Sequence, residues 1–266
     1  MTPDTTILEG LLKRDRAIVI AALVCITLLA WFYLVDMARG MSAMDLPLGE
    51  AMGEAMGMTQ ISQWTPGYFV MMFLMWAIMM IGMMVPSAAP MVLVYASFVR
   101  KNEKAAPYLS TGSFLGGYLL VWTAFSLVAT LMQWGLDEAA LLSSMMVTTS
   151  PLLGAGILIA AGVYQLTPFK SACLVHCRNP VQYFMTHWRK GRIGALRMGL
   201  HHGAFCLGCC SFLMMLLFFG GVMNLLWIAA ITLFVLLEKA LPHGPLAGKI
   251  TAPLLILTGL FVLIAG

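Results

Sequence analysis

Charged residues are scarce in this sequence. Only 10% of its 266 residues are Asp, Glu, Lys or Arg, whereas a soluble domain carries about 25%. Hydrophobic residues make up 61% of the chain, and several apolar runs reach the roughly 18 residues that can span a bilayer. So little charge excludes an ordinary soluble domain. The composition therefore predicts an all-α, polytopic membrane protein in contact with the lipid bilayer.

Signatures of nucleotide and hydrolase chemistry are also missing. The chain has no Walker A motif, no Gly-x-Ser-x-Gly motif and no Gly-x-Gly-x-x-Gly fingerprint. Nucleotide-driven pumping and serine-hydrolase activity therefore have no support, and we expect no nucleic-acid partner. Because no internal repeat or low-complexity linker interrupts the chain, we expect one transmembrane domain over residues 1–266.

Seven apolar segments are present, and we expect each to cross the membrane. They lie near residues 17–35, 68–98, 108–134, 152–167, 198–219, 222–241 and 248–265. The first follows Lys13, Arg14 and Arg16 and ends without a clear cleavage site, so we interpret it as a retained span and not as a signal peptide. Pro86 and Pro90 predict a kink inside the second helix.

The distribution of Lys and Arg predicts the orientation of the chain. With the N-terminus inside, fourteen of the fifteen basic residues lie in inner segments, and only Arg39 lies outside. The outer loops carry acidic residues instead. Basic residues accumulate on the cytoplasmic side of membrane proteins. We therefore expect a protein of the bacterial cytoplasmic (inner) membrane with its N-terminus inside and its C-terminus outside.

Five of the six cysteines fall between Cys173 and Cys210. In "HHGAFCLGCCSFLMM", residues 201–215, the side chains of His202, Cys206, Cys209 and Cys210 share roughly 100° of arc on a helix. Side chains at this spacing lie next to one another and can bind one metal ion. Cys206 and Cys209 also form a Cys-x-x-Cys pair, so thiol–disulfide exchange remains an alternative.

A second group of candidate ligands lies in "TPFKSACLVHCRNP", residues 167–180, where Cys173, His176 and Cys177 are three and four residues apart. The group approaches the first one if the connecting loop folds back. The cytoplasm keeps thiols reduced, and thiolate and thioether sulfur favour Cu(I). Copper is therefore the expected cofactor. Zinc on Cys173, Cys177, Cys206 and a histidine is an alternative, and so is a protein without metal.

Methionine is abundant, with 23 residues. In "MMFLMWAIMMIGMMVP", residues 71–86, the side chains of Met72, Met75, Met79 and Met83 share roughly 80° of arc and form a stripe bordered by Met80. Ordinary core packing is the alternative to a row of soft ligands. An acidic outer loop adds further methionines that could collect copper. These are Met41, Met44, Met52, Met56 and Met58.

Glu238 ends the sixth apolar segment in "LLEKALP". Ionisable residues inside a membrane are costly and therefore suggest function. Glu238 is thus a candidate ligand or proton acceptor, and pairing with Lys239 or with a residue of another helix is the alternative.

Four stretches of the chain resemble a bacterial family of predicted metal-binding integral membrane proteins of unknown function. They are "WAIMMIGMMVPSAAP", "YQLTPFKSACLVHCRNP", "HHGAFCLGCCSFLMM" and "GGVMNLLWIAAITLFVLLEK". The resemblance divides the chain into a family core, 68–266, and an N-terminal span with its Met-rich outer loop, 1–67. Ser211 departs from the family pattern, in which an aromatic residue is expected. The functional positions that the resemblance implies are Met79, Met80, Met83, Pro86, Cys173, Cys177, His202, Cys206, Cys209, Cys210 and Glu238.

Together these patterns predict a membrane protein that binds a soft metal ion, most simply Cu(I), for copper handling or delivery. A membrane metalloenzyme or a periplasmic metal-binding protein is the expected partner. A membrane thiol–disulfide oxidoreductase and a structural or assembly subunit of a larger membrane complex remain alternatives.

Overall fold

A computed structural model describes the backbone of residues 3–44, 64–102, 107–143 and 146–265, with side chains for 14–40, 64–101, 107–143 and 146–265. These residues form nine α-helices and no β-strand, so the all-α prediction is confirmed for them. The helices are α1 (Pro3–Met44), α2 (Pro66–Asn102), α3 (Pro107–Glu138), α4 (Pro151–Gln165), α5 (Pro168–Arg178), α6 (Pro180–His187), α7 (Gly191–Gly220), α8 (Leu225–Ala240) and α9 (Gly244–Ala265).

Five of these helices, α1, α2, α3, α7 and α9, are long and apolar enough to cross a membrane. The pair α4 and α5 bends by 65° and adds a sixth span if the two form one broken span. Each predicted apolar segment overlaps a helix, but α4 and α8 have only 15 and 16 residues. A span needs about 20 residues, so the predicted number of seven spans is not confirmed.

Prolines and polar caps mark where helices begin. Pro151, Pro168 and Pro180 each occupy the start of a helix, where the missing N–H has no helical acceptor to bond. The Thr167 hydroxyl accepts a hydrogen bond from the Lys170 backbone N–H and caps α5, and the Asn224 side chain caps α8 through the N–H of Trp227. The breaks around the bent pair α4 and α5 therefore follow from local sequence.

Helix α2 contains two internal prolines and is nevertheless helical throughout. The kink predicted at Pro86 and Pro90 is not confirmed and stays a prediction. Since Pro86 has no N–H, the carbonyl of Gly82 loses its usual helical partner. The Trp31 indole of α1 donates to that carbonyl at 3.3 Å. The proline thus creates a polar contact that holds α1 against α2.

Helix α7 lies at the centre of the described fold and makes its most extensive contact with α3. A methyl group at Gly199 of α7 would overlap the Phe114 carbonyl, and one at Gly117 of α3 would overlap the Leu196 carbonyl. These glycines let the two backbones approach closely, as small residues do in membrane helix pairs. Helices α4 and α5 also pack on α7, α9 packs on α4, and α1 packs on α2.

Polar contacts join the helices at both ends. At one end, Asp15 of α1 accepts hydrogen bonds from Arg100 of α2 and Tyr108 of α3. At the other end, the Trp64 indole donates to the Asp137 carboxylate at 2.7 Å. Such partly buried contacts stabilise the relative positions of α1, α2 and α3.

Candidate metal centre

Four cysteine side chains from α5 and α7 meet in the interior, and we name this set the cysteine cluster: Cys177, Cys206, Cys209 and Cys210. The sulfur of Cys209 lies 3.2 Å from that of Cys210 and 3.9 Å from that of Cys177. The Cys209 thiol also donates to the Cys206 carbonyl at 3.1 Å. All four are free thiols, and the three on α7 are almost fully buried. The two sequence groups therefore meet as the sequence suggested.

The meeting depends on helix α5, where the sequence suggested only a connecting loop. Gly208 of α7 lacks a side chain, so the Cys173 sulfur can approach the α7 backbone. A methyl group at Gly208 would lie 2.8 Å from that sulfur. The Tyr164 hydroxyl donates to the Gly208 carbonyl and holds α4 against the same turn. Cys173 is therefore buried beside the cluster, on its α4 side.

A buried lysine lies against the cluster. The Lys239 ammonium of α8 donates to the Cys206 sulfur at 2.9 Å and to the Ser87 hydroxyl at 3.1 Å. The Ser87 hydroxyl donates a hydrogen bond to the Met84 carbonyl, so its oxygen can accept one from Lys239. A cation next to a cysteine stabilises the thiolate, which is the form that binds metal.

Tyr118 connects the cysteine cluster to α2, the helix that carries the methionine stripe. Its hydroxyl lies 3.1 Å from the Cys206 sulfur and 3.2 Å from the Met84 carbonyl. The Tyr118 ring also stacks on His202, with ring centroids 5.5 Å apart. Helices α2, α3 and α7 therefore converge on Cys206.

His202 is buried on the cysteine face of α7, one turn before Cys206. Among the described residues, its Nδ1 atom has no hydrogen-bond partner. A buried polar atom without a partner is costly, so it calls for an explanation. An imidazole nitrogen with a free lone pair is a good ligand for copper or zinc.

The methionine stripe is buried in the protein core. Met75, Met79, Met80 and Met83 have no exposed surface, and Met72 is 2% exposed. They belong to the same buried core as the cysteines of α7. The stripe therefore faces the protein interior and not lipid.

Gln133 lies at the end of the stripe that is farther from the cluster. Its amide NH₂ group contacts the sulfurs of Met72 and Met146 at 3.5 and 3.2 Å, and its oxygen accepts from the Trp76 indole at 2.7 Å. The indole fixes the amide orientation, since an indole N–H can only donate. At this end, the thioethers thus accept hydrogen bonds from the amide.

Glu238 forms an ion pair in the interior. Its carboxylate accepts from the Lys170 ammonium of α5 at 2.5 Å, and both side chains are at most 3% exposed. Lys170 also donates to the Gln165 amide oxygen. Of the two alternatives for pairing, the partner is a residue of another helix and not Lys239. A ligand role for Glu238 stays a prediction.

The remaining predicted ligands are not part of the cluster. The His176 ring is half-buried and stacks on Phe205, with ring centroids 4.1 Å apart. For Met41 and Met44 only the backbone at the end of α1 is described. Met52, Met56 and Met58 lie outside the described residues.

Sequence reasoning missed three residues that contact or support Cys206: Tyr118, Ser87 and Lys239. Lys239 carried a usable signal, because a lysine beside a membrane-embedded carboxylate is rare. A tyrosine and a serine within apolar segments carried no comparable signal, since such residues commonly bond between helices.

In the described part of the chain, no group of three or more His, Cys, Asp or Glu side chains is already arranged to hold one metal ion. Within the cluster, the Cys209 sulfur contacts the sulfurs of both Cys177 and Cys210.

The fold and the site are those of a helical protein with several potential membrane spans, which encloses a cluster of thiols beside buried methionines. The chain belongs to the PpoB2 family, described as a copper chaperone, whose model matches residues 73–262. The match includes the cysteine cluster and most of the methionine stripe, and it supports the predicted link to copper. No curated protein and no solved structure matches the chain significantly.

Proposed function

We propose that this protein binds Cu(I) within the membrane at the cysteine cluster and delivers it to a copper-dependent protein. The observation that carries the proposal is the meeting of four cysteine sulfurs, from α5 and α7, beside the Lys239 ammonium. Membership of a copper chaperone family agrees with this role. Reduced, buried thiolates retain Cu(I) and keep it away from water and oxidants.

The charge around the site is compatible with Cu(I). Lys239 contributes one positive charge at Cys206, whereas Glu238 and Lys170 neutralise each other nearby. Cu(I) bound by a pair of thiolates carries one net negative charge, which Lys239 balances. Charge balance matters because an uncompensated charge in a low-dielectric interior is costly.

The methionine stripe provides a path toward the cluster. Met72, Met75, Met79 and Met83 follow one face of α2, with Met80 beside them, and all are buried. Thioethers bind Cu(I) less tightly than thiolates do, so a row of them suits transit. In this proposal the ion enters at the outer side, passes along α2 and is retained at the cysteines. His202 supplies an imidazole nitrogen next to Cys206.

The proposed orientation follows the distribution of basic residues. The N-terminus lies inside, the cysteine cluster lies toward the inner face of a bacterial cytoplasmic membrane, and the C-terminus lies outside. The partners proposed for these two sides are a periplasmic metal-binding protein that supplies the ion and a membrane metalloenzyme that accepts it.

The metal content of the full chain, purified from its native membrane under reducing conditions, tests this function. We expect stoichiometric copper in the unchanged protein and in Cys25→Ser, because Cys25 is exposed on α1 and apart from the cluster. We expect its loss in the Cys209→Ser/Cys210→Ser variant. Zinc in place of copper, or equal copper in the double variant, would overturn the proposal.

A further inference from the structure

We infer that the exposed histidines His187 and His201 form a second copper site, at which Cu(I) leaves the protein. Their rings come from α6 and α7, and the ring centroids lie 5.2 Å apart. Both side chains are exposed, unlike the buried thiols. The site is distinct from the cysteine cluster, although the inference rests on the proposed function.

The hydrogen-bond network fixes the tautomer of His201. The Tyr183 hydroxyl donates its only proton to the Met198 carbonyl at 2.9 Å. Its oxygen also lies 3.0 Å from Nδ1 of His201, so it accepts a hydrogen bond from the Nδ1–H group. The Nε2 atom of His201 therefore carries a free lone pair.

Hydrogen bonds also fix the tautomer of His187. The Thr186 hydroxyl donates to a backbone carbonyl, that of Gln182 at 3.0 Å or that of Tyr183 at 3.2 Å. Its oxygen therefore accepts from Nδ1 of His187, at 2.7 Å. Nε2 of His187 is then available as a ligand. Histidines that bind metals characteristically donate their other ring N–H in this way.

His176 links the two sites. Its Nδ1 lies 2.9 Å from the Ala172 carbonyl, which can only accept, so Nδ1 carries a proton and Nε2 is the ring nitrogen left for a ligand role. It immediately precedes Cys177 of the cluster. A cavity of about 130 Å³ is lined by both His176 and His187. An ion that leaves Cys177 therefore meets imidazole nitrogens on its way to the surface.

Incomplete coordination suits a site of transfer. A pair of imidazoles leaves ligand positions open for an incoming side chain of the acceptor, and imidazole is a suitable copper ligand. The step exchanges sulfur for nitrogen ligands and leaves the ion as Cu(I), so no oxidant or reductant is needed. The neighbouring residues Arg189, Lys190 and Arg192 offer an acidic acceptor an oppositely charged surface.

The test uses the full chain in detergent, loaded anaerobically with one and then two equivalents of Cu(I), and X-ray absorption at the copper edge. We expect the first equivalent to have sulfur ligands and the second to add nitrogen ligands. His187→Asn/His201→Asn should weaken binding of the second equivalent by more than about tenfold and leave the first unchanged. Tyr183→Phe should weaken the second equivalent as well, because the Nδ1 proton of His201 loses its acceptor.

His243→Asn is the matched control, since His243 is an exposed histidine outside this pair and should leave both equivalents unchanged. A second equivalent that binds equally well in the double variant, or that shows sulfur ligands only, overturns the inference while the proposed function stands. Absence of the first, sulfur-bound equivalent instead overturns the proposed function itself.

Discussion

At the scale of single residues, the side chain that most changes the chemistry of the cysteines is a lysine. Lys239 is 9% exposed and donates to both Cys206 and Ser87. Buried lysines need a partner for their charge, and here the partner is a sulfur. A lysine at this position stabilises the thiolate form of Cys206.

Replacing Lys239 by methionine should weaken Cu(I) binding. The change removes a charged hydrogen bond to Cys206, worth about 1.5–3 kcal/mol, so we expect the affinity to fall by roughly 10–100-fold. Competition with a chromophoric Cu(I) chelator measures it. Lys249→Met is the control, because Lys249 is exposed on α9 and should bind copper as the unchanged protein does. Equal affinities for both variants would show that Lys239 does not stabilise the site.

Glu238 allows a test that separates a ligand from a counter-charge. Glu238→Gln leaves Lys170 buried without a compensating charge, which should destabilise the protein by about 3–5 kcal/mol. Lys170→Met/Glu238→Leu removes both charges and should restore most of the stability. Thermal unfolding measures the stability, and copper content shows whether the site is intact. If the Lys170→Met/Glu238→Leu variant is stable but contains no copper, Glu238 is a ligand.

The sequence indicated that the two cysteine groups could meet, but it did not indicate the partners around them. A meeting of Cys177 and Cys209 could be expected, because both lie in groups with helical spacing and the basic residues predicted the same side of the membrane for both groups. The pairing of Glu238 with Lys170 could not be predicted, since these residues are far apart in the chain and only packing decides which charges meet.

At the scale of elements, helix α5 determines whether the cluster forms. The sequence between the fourth and fifth apolar segments was interpreted as containing a connecting loop. The structure places two helices there, α5 and α6, each beginning at a proline. Prolines mark helix starts as readily as they mark loops, so the pattern alone did not distinguish these structures.

Gly208→Ala tests the close approach of α5 and α7. The added methyl group would lie 2.8 Å from the Cys173 sulfur, so α5 and Cys177 should move away from Cys209. We expect a loss of about 1–3 kcal/mol in stability from overpacking, together with weaker copper binding. Gly156→Ala is the control, because no neighbouring atom lies within 4 Å of its added methyl group. If copper binding is unchanged in Gly208→Ala, the position of α5 does not matter for the site.

A test of the methionine stripe of α2 should remove the thioether sulfurs and conserve the side-chain volume. Met79→Leu/Met83→Leu conserves volume and should cost less than about 1.5 kcal/mol of stability. If the thioethers relay copper, loading of the cysteines from outside should slow down, as measured by the rise of copper–thiolate absorption in reconstituted vesicles. Met185→Leu, an exposed methionine on α6, should load at the normal rate. Normal loading in the double variant would assign the stripe to packing alone.

At the scale of the whole molecule, composition predicted the helical class and hydropathy located the long helices. The number of spans could not be predicted from hydropathy, since α4 and α8 are apolar but too short to cross a bilayer of ordinary thickness upright. Hydropathy counts apolar residues and does not report where a helix stops. The 65° bend between α4 and α5 arises from Thr167 and Pro168, which interrupt an apolar run.

The proposed role of the whole protein requires that the cysteine cluster binds Cu(I). Anaerobic titration of the reduced full chain with Cu(I), against a competing chelator, measures this directly. We predict tight, stoichiometric binding that Cys25→Ser retains and Cys209→Ser/Cys210→Ser loses. No binding by the unchanged protein, or identical binding by the Cys209→Ser/Cys210→Ser variant, would contradict it.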